Sequence, residues 1–212
     1  MKKLQLALDF LSMKEAMKIA RKTRKYIDFI EIGTPLIKSE GIKVVKKMKN
    51  KFSDKVIVAD MKIADVGEIE AKLAFDAGAD IVTVLSCVSD ETIKGAIKVA
   101  KEMNKKVMVD LIGEHDFLKR AKEIEALGVD YLCVHTGIDE QKIGKEPFDD
   151  LSKIRNEVKT QIAVAGGINL DTVDRALELG ADVIIVGSAI TKNERPNLIA
   201  RKIKKKILEF SD

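Results

Sequence analysis

Tryptophan is absent from this chain, and aromatic residues make up only 4% of it. Its interior must therefore be filled by Ile, Val, Leu, Ala and Met. Cysteine is almost absent too. Cys87 and Cys133 each sit in an apolar run and read as buried thiols of a reducing cytoplasm, which excludes a disulfide framework or a cysteine metal site. No apolar stretch is long enough to span a membrane. The opening Met1-Lys2-Lys3-Leu4 runs into an alternating strand with an acid at Asp9, so it is no signal peptide. Neither sign of charge dominates: 38 basic against 34 acidic residues leave a net +4. That balance gives no basic footprint for nucleic acid. A surface rich in Lys and Glu and poor in Gln carries a weak thermophilic signature. No linker or low-complexity segment divides the 212 residues, and a single domain over 1–212 is expected.

What is present is a regular alternation. Short β-rich runs are predicted over 4–8, 27–32, 56–59, 81–85, 107–111, 131–134, 162–165 and 183–186. Amphipathic helical runs follow them over 13–24, 38–49, 66–77, 90–103, 116–127, from 147, over 170–179 and over 196–210. Ser89 or Asp90 and Asn169 are the expected helix caps. The cassettes Gly78-Ala79-Asp80, Gly128-Val129-Asp130 and Gly180-Ala181-Asp182 each end a helix and launch a strand. They recur roughly every 50 residues, or two units, so one strand–helix unit is about 25 residues long. Eight such units close a parallel (β/α)8 barrel. The competing open doubly wound sheet would place a glycine-rich turn after its first strand. Here that strand ends in Asp9-Phe10-Leu11, and the Gly-Gly pair comes at the seventh.

One stretch resists a purely structural reading. The apolar run at 56–59 ends in Asp60, Lys62 and Asp65, and buried strands do not end in three charges unless these are paired or used. An ion-pair cluster on the surface is the bland alternative. Asp60 and Lys62, two apart, point to the same side. In barrels of this kind chemistry sits at the C-terminal strand ends. Those ends carry Asp9, Glu31, Asp60 with Lys62, Ser86, Asp110, His135, Gly166-Gly167 and Gly187-Ser188. Acids crowded on one mouth repel and call for a compensating cation. Glu31 and Asp60, on neighbouring strands, are the candidate oxygen ligands for Mg²⁺. His135 is suited to proton transfer near neutral pH, whereas His115 reads as a helix-opening residue. The glycine turns at Gly166-Gly167 and Gly187-Ser188 form a candidate phosphate cradle. The residues thus point to a small phosphorylated substrate, a divalent metal, a lysine for charge stabilisation and a histidine for protons. Aldol, isomerase and decarboxylase chemistry all remain open on that set.

The motifs themselves narrow the choice. Leu6-Ala7-Leu8-Asp9, Ile30-Glu31-Ile32-Gly33-Thr34-Pro35, Ala59-Asp60-Met61-Lys62-Ile63-Ala64-Asp65, His135-Thr136-Gly137-Ile138-Asp139-Glu140-Gln141, Ala163-Val164-Ala165-Gly166-Gly167-Ile168 and Val186-Gly187-Ser188-Ala189-Ile190-Thr191 follow one another along the chain. They resemble the strand ends of the 3-hexulose-6-phosphate synthases, a branch of the orotidine-monophosphate decarboxylase suprafamily. The resemblance implies a reversible aldol condensation of formaldehyde with D-ribulose 5-phosphate. It implies Mg²⁺ (or Mn²⁺) on Glu31 and Asp60, an enediolate stabilised by metal and Lys62, proton transfer by His135 and substrate positioning by Asp9. Asp110 completes the implied catalytic set. The resemblance also implies a homodimer in which Asp65 reaches the partner's site. The orotidine-monophosphate decarboxylases differ by a Lys at the position of Glu31 and an Arg at that of Ser188. The 3-keto-L-gulonate-6-phosphate decarboxylases share the metal acids but typically carry Glu at 110, Arg at 138, Thr at 165 and Arg at 188. Here those positions are Asp110, Ile138, Ala165 and Ser188, which match the synthase branch. Such a decarboxylase and a non-catalytic sugar-phosphate-binding protein are the alternatives.

Overall fold

The computed structural model describes residues 1–210. Eight parallel strands close into a barrel in sequence order. The chain runs β1 (Lys3–Leu8), α1 (Met13–Thr23), β2 (Phe29–Ile32), α2 (Thr34–Glu40), α3 (Lys43–Lys51), β3 (Val56–Ile63), α4 (Gly67–Asp76), β4 (Ile81–Leu85) and α5 (Asp90–Glu102). It continues through β5 (Lys106–Asp110), α6 (Phe117–Leu127), β6 (Tyr131–His135), α7 (Ile138–Gln141), α8 (Phe148–Arg155), β7 (Gln161–Ala165), α9 (Val173–Glu178), β8 (Val183–Val186), α10 (Ser188–Thr191) and α11 (Pro196–Glu209). The (β/α)8 expectation therefore holds. Alternating strand residues divide into two apolar layers. Ala7, Phe29, Val58, Ile81, Met108, Tyr131, Cys133, Ala163 and Ile185 fill the barrel. Leu6, Ile30, Ile57, Val82, Leu132 and Ile184 belong to a larger layer shared with the helices.

Several local details depart from the sequence reading. The helix expected over 38–49 is two. Pro35 in the first turn starts α2 earlier, and Gly41, at φ +72°, ends it before α3. The helix expected from 170 begins only at Val173, because the Asn169 side chain accepts from the N–H groups of Asp171 and Thr172 and holds 169–172 in a turn. Ser89 does cap α5, accepting from the Thr92 N–H. The short helices α7 and α10 have no counterpart in the sequence reading. Cys133 is buried as expected, but Cys87 is exposed, because it lies in the turn just beyond the end of β4. No helix among the described residues is long and apolar enough to cross a membrane.

The N-terminal face carries an alternating ring. The residue immediately before each strand is in turn Lys2, Asp28, Lys55, Asp80, Lys105, Asp130, Thr160 and Asp182. Each Asp accepts from the second N–H of the preceding strand: Leu4, Ile57, Val107 and Ile162 donate at 2.8–3.0 Å. The lysines reach in the same backward direction. Lys2 donates to the Ala181 carbonyl, Lys55 to that of Ile27, and Lys105 to the Asp80 carboxylate. Gly78, Gly128 and Gly180, all at positive φ, turn the chain from helix into three of these aspartates. This face stabilises the barrel and lies opposite the strand ends that carry chemistry. Replacing Asp130 by Ala leaves the Val107 N–H without its carboxylate partner. The expected loss is about 1–2 kcal/mol, a drop of about 2–8 °C in Tm. Thermal unfolding measures it, and kcat should not change.

Candidate active site

The C-terminal strand ends surround a cavity of about 840 Å³. Asp9, Glu31, Asp60, Lys62, Asp110 and His135 line it together with Gly166, Gly167, Gly187 and Ser188. Ten of the sequence-predicted site residues thus meet in one place. Asp65 is the exception: its exposed carboxylate accepts from the Val66 N–H at 2.7 Å and does not line the cavity. Ser86, noted as a strand end, is likewise outside it and bonds to Glu114. His115 is exposed.

Lys62 is at the centre. β3 runs on to Ile63, past the expected end at 59, but its register against β4 slips between Ala59 and Ile63. Lys62 itself adopts φ +46°, a conformation that side-chain-bearing residues rarely occupy. Its N–H donates to Thr83 Oγ1 at 2.9 Å. Bulges of this kind re-aim side chains beside active sites. Here Lys62 Nζ comes to 2.6 Å from Asp110 Oδ2 and 3.3 Å from Asp60 Oδ1. Burial works against the ammonium charge, but the Asp60 and Asp110 carboxylates outweigh it and hold the lysine above its ordinary range. Lys62 is thus a fixed cation and not a neutral base.

Asp110 serves a second partner. His135 Nδ1 lies 2.9 Å from its Oδ2, and the Ile112 N–H donates to its Oδ1 at 3.0 Å. Burial alone would raise the Asp110 carboxyl, but the hydrogen bond and charge of His135, with Lys62, pull it down to about 2. An ionised Asp110 accepts from Nδ1 and leaves Nε2 as the nitrogen free to exchange protons. Cys133 also lines the cavity, but burial and the nearby acids push its thiol well above the ordinary range and make it inert.

The acids on the other side lack such relief. Glu31 is buried, and desolvation together with Asp60 and Asp9 raises its carboxyl well above the normal value. Asp9 is raised by desolvation and by Asp60, although it opens to solvent at the mouth. Gly33 permits that placement, because a Cβ there would lie 2.2 Å from Asp9 Oδ1. Asp60 is oriented by the Thr34 and Thr83 hydroxyls, at 2.7 and 2.8 Å from its two carboxylate oxygens. Gln5 donates to Glu31 Oε2 at 2.5 Å. Thr34, Thr83 and Gln5 were missed in the sequence. Gln5 alone left a signal there, as a polar residue between Leu4 and Leu6 in a strand buried on both faces.

Among the described residues, no three His, Cys, Asp or Glu side chains group as a self-sufficient metal site. Two carboxylates are nevertheless the donor set that Mg²⁺ takes when water and substrate oxygens complete its shell. The negative charge that helps to raise Glu31 is what a divalent cation would offset, so the residues fit it. Opposite them, Gly166 (φ +112°) packs so closely on Thr136 that a Cβ would sit 2.5 Å from its carbonyl oxygen. The turns after β7 and β8 therefore present bare backbone to the cavity.

Comparison with known proteins agrees with this geometry. Residues 2–203 match the Orotidine 5'-phosphate decarboxylase / HUMPS family. The chain is 46% identical over 207 residues to the 3-hexulose-6-phosphate synthase of Bacillus subtilis, covering 97% of this chain and 99% of that one. The crystal structure of 3-hexulose-6-phosphate synthase from Salmonella typhimurium superimposes with a TM-score of 0.94 at 47% identity, covering 98% and 99% of the two chains. That of 3-keto-L-gulonate-6-phosphate decarboxylase from Vibrio cholerae gives 0.86 at 28% identity, covering 99% of each chain. The chain belongs to the Orotidine 5'-phosphate decarboxylase / HUMPS family.

Proposed function

We propose that the chain is a lyase of 3-hexulose-6-phosphate synthase type, which adds formaldehyde reversibly to D-ribulose 5-phosphate to give D-arabino-hex-3-ulose 6-phosphate. The observation that carries this reading is the Asp60–Lys62–Asp110–His135 chain, which places a permanent cation and a proton carrier in one cavity beside Glu31. Glu31 and Asp60 would hold Mg²⁺ or Mn²⁺, which would supply Lewis-acid stabilisation of negative charge on the substrate. Lys62 adds fixed positive charge where the enediolate oxygen develops its own. His135 Nε2 exchanges the C1 proton. The electron pair released at C1 forms the enediolate and then attacks the formaldehyde carbon, and the aldehyde oxygen takes up the proton that Nε2 removed. Asp9, at the mouth, orients substrate hydroxyls. Gly166, Gly167, Gly187 and Ser188 receive the phosphate through backbone N–H groups and the Ser188 hydroxyl.

The same acids and lysine would serve a 3-keto-L-gulonate-6-phosphate decarboxylase. Ile138 speaks against it: an apolar side chain, 62% exposed, stands at the cavity rim where that branch carries Arg. A non-catalytic sugar-phosphate-binding protein would have no use for the His135–Asp110–Lys62 set. The chain would act in the cytoplasm as a homodimer, with Asp65 completing the partner's site. Asp65 is exposed and is followed at and along α4 by Val66, Ile69 and Leu73, which are 49%, 67% and 48% exposed and share one helix face.

Four results are expected. Formaldehyde consumption with ribulose 5-phosphate should far exceed CO₂ release from 3-keto-L-gulonate 6-phosphate, and the reverse ratio would overturn the assignment. Activity should vanish in chelator or in Lys62→Ala, and Mg²⁺ or Mn²⁺ should restore only the chelated enzyme. Mixed Lys62→Ala and Asp65→Ala subunits, each inactive alone, should regain up to about a quarter of wild-type activity, because random pairing restores one intact site per heterodimer. Glu31 binds its proton more tightly folded than unfolded, so its ionisation costs stability as pH rises above the unfolded carboxyl value. Metal-free Glu31→Gln should therefore melt above wild type at pH 7–8, and the difference should shrink as pH falls towards about 4.

A further inference from the structure

Gln5 has no assigned role beyond its bond to Glu31, yet it is a fully buried polar residue that lines the substrate cavity. Its Oε1 is the only buried side-chain nitrogen or oxygen without a hydrogen-bond partner among the described residues. Nε2 donates to Glu31 Oε2 at 2.5 Å, which turns Oε1 away. A carboxylate that holds a cation can only accept, so the same orientation serves the loaded site. An interior acceptor left without a donor is costly and marks a place where a water or a ligand supplies one. The donor has to arrive beside Glu31. Resting on the metal reading above, we infer that Gln5 is a positioning residue for the cation: Nε2 aims the Glu31 carboxylate, and Oε1 accepts from a water that the cation carries. Magnesium held by two carboxylates keeps several waters, and partners that orient a ligand and its waters commonly set metal affinity.

The test is Mn²⁺ binding to the full-length protein without sugar phosphate, followed by the electron paramagnetic resonance of free Mn²⁺. Gln5→Met keeps the side-chain length but removes both functions, and should weaken Mn²⁺ binding at least about tenfold. Gln5→Glu keeps the acceptor and adds charge. It loses the Nε2 donor, so it should bind Mn²⁺ more tightly than Gln5→Met and melt lower than wild type without metal, with a larger gain in Tm on adding Mn²⁺. Wild-type affinity in Gln5→Met, or a gain in Tm for Gln5→Glu no larger than that of wild type, overturns the inference. So does an effect of Gln5→Met confined to the KM for ribulose 5-phosphate, which would mean that a substrate hydroxyl supplies the donor. Should Gln5→Met fail to fold, the Gln5→Glu pair of measurements decides alone. Glu31→Gln serves as control: if it binds Mn²⁺ as wild type does, the metal reading itself has failed, independently of Gln5.

Discussion

The ammonium of Lys62 is the constraint to which the rest of the site is fitted. It stands between Asp60 and Asp110 in the mouth of the barrel, above an apolar layer that includes Val58, Ile81 and Met108. Removing one partner from a buried ion pair costs about 3–5 kcal/mol. The left-handed backbone of Lys62 costs only about 1–3 kcal/mol. The pair wins, and β3 is bent to satisfy it. Thr83 takes part in both halves of that balance: its hydroxyl accepts from the Lys62 N–H and donates to Asp60.

Two sides of the cavity differ in how far their charges are met. On the β3–β5–β6 side, Asp60, Lys62, Asp110 and His135 form a continuous chain of polar contacts. On the β1–β2 side, Asp60 raises both Asp9 and Glu31, Asp9 raises Glu31 further, and Lys62 only partly offsets this from a distance. One side is thus ready for charge that appears during reaction, and the other for charge that arrives with a ligand.

Much of this was legible in the sequence, for reasons that differ from residue to residue. The eight strands announced themselves because parallel strands buried on both faces read as unbroken apolar runs. The positions of Asp9, Glu31, Asp60, Asp110 and His135 followed, since a strand's last residues lie at the mouth. What could not be read was anything decided between strands. The register slip in β3 depends on Thr83 of β4, and the orientation of Asp60 on Thr34 of α2. Neither leaves a trace in local periodicity. Cys87 misled because its apolar neighbours continue past the strand end. Asp65 could be given a role only by resemblance, because it does not line its own chain's cavity.

The ring at the opposite face has a consequence of its own. Lysine and aspartate alternate there from stave to stave, with Thr160 as the single substitution. An alternating circle closes without conflict only when its members are even in number. Losing the stave between two acids would set like against like at the joint, as would happen to Asp182 and Asp28 without β1. With eight staves in order, each of the four acids instead meets a free amide of the stave before it.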